Sequence, residues 1–143
     1  MNKRAVDNAN IDIDFIIKQL KNGESHMAEQ LTKKLASNLS NDYKDPFWSK
    51  SIATLISSVI LALAEDVLSS KEEKINIQSV INFFESKRID KKPDLYSIDI
   101  FFKLRKESSL AKSTYKNLFM MGDYTKTTIF NEAQMCLYMK YGQ

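Results

Sequence analysis

Asp45-Pro46-Phe47-Trp48, leading into Ile52-Ala53-Thr54-Leu55-Ile56-Ser57-Ser58-Val59-Ile60-Leu61-Ala62-Leu63-Ala64, is the stretch on which the fold turns. Asp45 can accept hydrogen bonds from the first free N–H groups of a helix, and Pro46 suits the first helical position, where no N–H is needed. The run from Ile52 to Ala64 is apolar on nearly every side of a 3.6-residue helix, so the helix expected from Pro46 to about Leu68 must be enclosed by other elements.

Working outward, the rest of the chain supplies those elements. Met27, Leu31, Leu35 and Leu39 recur every four residues, which predicts an amphipathic helix from Glu24 to Ser40. Asn41-Asp42-Tyr43-Lys44 reads as the turn into the central helix, and Ser69-Ser70-Lys71-Glu72-Glu73-Lys74 as its end. Asn76 is placed to cap a short helix carrying Ile77, Val80, Ile81 and Phe84. Ser86 to Lys92 is loop-like. Pro93 is expected at the first position of the next helix, with Leu95, Ile98, Phe101 and Phe102 as its apolar stripe.

Ser108 or Ser109 should cap a further helix with Ala111, Tyr115, Leu118 and Phe119 inward and Gly122 as a left-handed stop. A last helix begins near Asp123 to Thr125 and presents Ile129, Ala133, Cys136, Leu137 and Tyr141. Ile11-Asp12-Ile13-Asp14-Phe15 alternates like a strand, so Ile11 to Leu20 is expected as an extended lead-in and a short helix. Three Gly and two Pro in 143 residues are too few for a strand-and-turn protein. The expected fold is therefore all-α, a compact bundle of six to seven helices around one hydrophobic helix. Residues 1–10 form a flexible lead-in and 11–143 a single domain.

The chain is long enough to bury about two-thirds of its unfolded surface without metal or disulfide. Cys136 is the only cysteine, flanked by Met135 and Leu137 with no basic neighbour, and reads as a small core residue in a reducing compartment. No secretory leader is apparent in Met1 to Ile16, which carries Arg4, Asp7, Asp12 and Asp14. The apolar run Ile52 to Ala64 is thirteen positions, short of the about 20 a bilayer span needs, which favours a buried helix.

Little in the sequence suggests catalysis. His26, the only histidine, sits at a helix start and reads as exposed rather than as a base. No Cys and His stand at zinc spacing, and Glu65-Asp66 and Glu72-Glu73 read as a solvated helix end. Gly23, Gly122 and Gly142 cannot build a Gly-x-x-x-x-Gly-Lys phosphate loop. The expectation is a chain with no catalytic centre, no metal and no cofactor.

Charge is uneven. From Lys87 to Lys116 nine basic residues face four acids, a net of +5 in a chain whose total is +3. Lys87, Arg88, Lys91 and Lys92, with Lys103, Arg105 and Lys106 at the next helix end, are the candidate contacts to a partner or to nucleic-acid phosphate. The competing reading is that cations at a helix C-terminus merely complement its dipole, worth about 0.3–1 kcal/mol. Phe83-Phe84, Phe101-Phe102, Tyr124 and Tyr138 could stack on bases, or fill the inner faces of the bundle. Trp48 fits an anchor at the mouth of the central helix.

Asp45-Pro46-Phe47-Trp48 with its aliphatic helix, then Lys74-Ile75-Asn76-Ile77-Gln78-Ser79-Val80-Ile81, Ile100-Phe101-Phe102, Tyr115-Lys116-Asn117-Leu118-Phe119 and Thr125-Lys126-Thr127-Thr128-Ile129-Phe130 carry a resemblance. In order and spacing, over roughly residues 27–140, they resemble the all-helical domain of type IV secretion coupling proteins, the TraG-like motors of conjugation. The resemblance implies a piece excised from a larger ATPase, since in that family the phosphate loop precedes this domain and the magnesium-binding motif comes after it. It implies a cytoplasmic substrate-receiving domain that engages the relaxase, relaxosome accessory proteins or the transferred DNA. The parent's ATPase domain would be a neighbour, and the membrane anchor would lie elsewhere in the parent. Because that domain is an insertion, the segment near Asn10 to Asp14 should lie close to the end of the last helix. A freestanding helical DNA-binding protein and a protein-binding adaptor are the alternatives.

Overall fold

The computed structural model describes residues 2–41, 43–70 and 74–142. Asp42 of the expected turn and Lys71 to Glu73 of the expected polar break lie outside the described residues. Among the described residues the chain forms seven helices, α1 (Lys3–Lys21), α2 (Ser25–Leu39), α3 (Pro46–Ser69), α4 (Ile77–Ser86), α5 (Leu95–Lys103), α6 (Leu110–Phe119) and α7 (Asp123–Tyr141). A two-stranded hairpin, β1 (Arg88–Ile89) and β2 (Lys92–Pro93), joins α4 to α5. This is the expected all-α bundle.

α3 is its axis. Asp45 Oδ1 accepts from the Phe47 N–H at 2.9 Å, with Pro46 in the first turn. Ile52, Leu55, Ile56 and every residue from Ser57 to Ala62 are buried, because α1, α2, α4, α6 and α7 all pack on this one helix. At 24 residues α3 is also long and apolar enough to cross a bilayer, so counting only Ile52 to Ala64 understated its length. Here 61% of its most apolar window is buried within the protein itself. Trp48 is half-buried at the mouth of α3, edge-on to Phe47 with ring centroids 5.0 Å apart.

The amino-terminal region differs from expectation. Residues 3–10, expected as a flexible lead-in, begin α1, and Ile11 to Leu20 continues it as helix with no extended segment. The alternation misled because only one of the two apolar sets matters. Ala9, Ile13 and Ile16 are buried at helical spacing, while Ile11 and Phe15 face solvent. Asn2 caps the helix through Ala5 N–H. At its other end Gly23, at φ +76°, closes a Schellman turn in which Glu24 N–H donates to Gln19 C=O and Gly23 N–H to Leu20 C=O.

In α2 the buried stripe is Ala28, Thr32, Leu35, Ala36 and Leu39; Met27, expected inside, is exposed. α4 starts with a full capping box between Asn76 and Ser79, and Asn10 Oδ1 of α1 accepts from the Ile77 N–H at 2.8 Å. Pro93 is not helical: it pairs with Arg88 in the hairpin, and Asp94 caps α5 through Ser97 N–H. Ser109 caps α6 through Lys112 N–H. Gly122 does not adopt the left-handed conformation expected of it; at φ −67° it is the residue before α7. Cys136 is only half-buried on α7, its Sγ 3.9 Å from the Tyr43 hydroxyl.

Of the two readings of the Phe83-Phe84 and Phe101-Phe102 pairs, stacking on bases or filling the inner faces of the bundle, the structure shows the second: Phe83, Phe84 and Phe102 are buried and Phe101 is half-buried. α4 is wedged between two partners. Phe84 meets Phe130 of α7 at 4.9 Å and Phe83 meets Phe101 of α5 at 5.0 Å, so both sides of the helix find a core.

The chain's two outer helices return to the same place. Ala9 and Asp12 of α1 line one cleft with Lys140 and Tyr141 of α7. Burial, with Asp12 nearby, pushes the Tyr141 phenol up to about 12.

Candidate partner-docking surface

The seven basic residues divide into those that hold the fold and those that face outward. Arg88 reaches from the hairpin to α7, donating to Asn131 Oδ1 at 3.0 Å and Gln134 Oε1 at 2.8 Å, and to the Lys91 carbonyl at 2.6 Å. Its guanidinium lies 5.7 Å from the Phe130 ring centre. Lys87 donates to Ser97 Oγ and sits over Phe83 and Phe101. These two side chains fasten the hairpin to the bundle.

That fastening holds Lys91 and Lys92 out at the tip. Asp90 and Lys91 carry φ of 50° and 68°, the paired left-handed residues of a type I′ turn, whose twist matches the flanking strands. Lys91 and Lys92 are exposed and make no ion pair among those found in the described residues.

Arg105 is the third internal cation. It donates to Glu65 Oε1 at 3.1 Å, to Asp66 Oδ1 at 2.7 Å and to the Ala62 carbonyl at 3.1 Å, all on α3. Glu65 in turn accepts from Ser109 Oγ at 2.7 Å and from the Leu110 N–H at 2.8 Å, so one carboxylate ties α3, the α5–α6 corner and the start of α6 together. Glu65 is therefore a half-buried structural hub rather than part of a solvated face. Nothing in the sequence pairs it with residues 40 to 45 positions away. Lys103 and Lys106 stand exposed beside this corner, next to Leu104, which is 79% exposed.

The exposed lysines thus form two patches, not one. α5 has nine residues, so about 13 Å of helix separates the hairpin at its start from Lys103 at its end. The corner patch borders a cleft of about 600 Å³ lined by Phe101, Arg105 and Lys106 on one side and Glu65, Asp66 and Ser69 on the other. Arg105 is already paired with Glu65 and Asp66, so the exposed cation this cleft offers a partner is Lys106 at its edge.

Of the other aromatic candidates, Tyr124 is 82% exposed, while Tyr138 donates its hydroxyl to Glu85, which holds its pKa above the usual tyrosine value. A second ionic group went unread in the sequence. Asp99 of α5 accepts from Tyr115 of α6 and from Lys126 of α7, each at 2.6 Å, with the Lys126 side chain only 8% exposed. Burial, then the bond to Asp99, drives the Tyr115 phenol well above its ordinary pKa. His26 is exposed, and no group of three His, Cys, Asp or Glu is placed to hold a metal among the described residues.

Comparison of the chain with protein-family models, with curated proteins and with solved structures returned no match.

Proposed function

We propose that the chain is a substrate-receiving domain of a conjugative type IV secretion coupling protein, a docking body with no chemistry of its own. Relaxosome proteins, with or without the transferred DNA, are its cargo, and nucleotide hydrolysis belongs to an ATPase domain of the parent. The domain works in the cytoplasm, and the parent's membrane anchor lies outside it. The observation that carries this reading is the return of α7 to α1, with Tyr141 and Asp12 at one cleft, as an insertion into a motor domain requires. The motif order from Asp45 to Phe130 and the outward-facing Lys91, Lys92, Lys103 and Lys106 support it.

The test is direct binding to purified relaxase and its accessory protein, alongside fluorescence anisotropy with single-stranded and duplex DNA at two salt concentrations. Lys91→Glu with Lys92→Glu, and separately Lys103→Glu with Lys106→Glu, change exposed side chains only. At least one pair is expected to weaken cargo binding about tenfold or more with the melting temperature nearly unchanged. Lys87, Arg88 and Arg105 are unsuitable, since each holds internal contacts. Tight duplex binding that falls steeply with salt, without capture of relaxosome proteins, would move the chain to the class of freestanding DNA-binding proteins. Nucleotide turnover by the purified chain would overturn the reading.

A further inference from the structure

α2 and α3 face each other along two polar rows of equal spacing. Lys33 and Ser37 of α2 and its C-cap Ser40 stand at i, i+4 and i+7, and Lys50, Thr54 and Ser57 at the same spacing on α3. Such residues share one side of a helix. Between the rows lies a cleft of about 370 Å³, closed on its third side by Thr114 of α6. Of its described lining residues only Ala53 is apolar, and none is acidic. The volume falls in the range of small-molecule sites, and polar atoms are set among the methylene and methyl surface of its wall.

Its hydroxyls are not equivalent. Thr54 Oγ1 donates to the Lys50 carbonyl at 2.8 Å and Thr114 Oγ1 to the Leu110 carbonyl at 2.7 Å, the usual return of a helical hydroxyl to its own backbone. Each oxygen keeps its capacity to accept. Ser57 breaks the pattern. It is 1% exposed, its Oγ has no hydrogen-bond partner, and its neighbour Ser58 makes the ordinary bond to the Thr54 carbonyl at 2.7 Å. A buried hydroxyl without a partner is costly and calls for an explanation. Here the unpaired hydroxyl lies just beneath the wall of a cleft that also carries two lysines. Lys50 enters none of the ion pairs found among the described residues, and Lys33 has only a 3.7 Å contact to Glu29.

We propose that this cleft binds a small phosphorylated metabolite, with Lys33 and Lys50 neutralising the phosphoryl group and the Ser57 hydroxyl donating to it from the floor. The acceptor oxygens of Thr54 and Thr114 suit the hydroxyls of an attached sugar. The site is separate from the hairpin and corner lysines, so it stands or falls independently of the cargo reading.

The experiment is calorimetric titration of the purified chain with inorganic phosphate, ribose 5-phosphate and AMP, with ribose and sulfate as controls. Saturable binding of at least one phosphorylated probe is expected, stronger than that of ribose or sulfate. Ser57→Ala should weaken it about tenfold, the scale of one hydrogen bond to a charged group, while the melting temperature holds or rises. Lys50→Glu should abolish binding, and Lys91→Glu with Lys92→Glu should leave it unchanged. Absence of saturable binding to every phosphorylated probe would overturn the proposal. So would equal binding of sulfate, or affinity insensitive to Ser57→Ala and Lys50→Glu in folded protein.

Discussion

Asp99 shows how a single charge is kept inside a small helical protein. Its two oxygens are divided between the Tyr115 hydroxyl and the Lys126 ammonium, so each buried polar group has a partner. Such a pair adds little over an apolar replacement, but breaking it is expensive because one charge is stranded. Asp99→Ala is expected to lower unfolding free energy by about 3 kcal/mol, read from urea denaturation. Asp99→Leu combined with Lys126→Met should recover most of that loss. A double variant as unstable as the single one would place the energy elsewhere. Arg105 and Glu65 obey the same logic across a wider set of partners. A cation that was legible in the sequence as a surface contact is, in three dimensions, the answer to a carboxylate 40 residues earlier.

At the scale of elements, α3, α4 and α6 were readable because the signals that fix them are local. Asp45 with Phe47, Asn76 with Ser79 and Ser109 with Lys112 are all cap contacts within three residues. α1 was not, since Ile11 and Asp12 alternate for reasons unrelated to strand pairing. Only the packing of Ala9, Ile13 and Ile16 against α2, α3 and α4 decides the matter. The hairpin was missed for a related reason. Asp90-Lys91 lacks the Asn-Gly signal, and Arg88 holds the turn from a distance through Asn131 and Gln134. Of the candidate site, the exposure of four lysines was legible; the internal duties of Lys87, Arg88 and Arg105 were not. Replacing Asp90-Lys91 by Asn-Gly should stabilise the protein by about 0.5–1 kcal/mol, since both positions need positive φ. An unchanged or lower denaturation midpoint would mean that the side chains, not the backbone, hold the turn.

Across the whole molecule, burial sets the response to alkaline pH. Tyr43, Tyr115 and Tyr141 are raised chiefly by burial, Tyr141 to about 12, and Tyr138 by its bond to Glu85. An unfolded tyrosine loses its proton near pH 10, so above that the unfolded chain holds fewer protons than the folded one and stability falls as pH rises. Below pH ~10 the contribution is fully present. Tyrosinate absorbance should lag in the native protein and then rise together with unfolding, and the denaturation midpoint should drop steadily above pH ~10. Independent titration near pH 10 with no loss of stability would contradict the packing of these rings.

The enclosure of α3 also has a consequence in time. Its covers are made in two instalments, α1 and α2 before it and α4, α6 and α7 after it. While the ribosome is still adding the later helices, the greasiest segment of the nascent chain stands half-clothed, sticky toward chaperones, membranes and its own copies alike. The cover over α3 is whole only when α7 has emerged and closed over it.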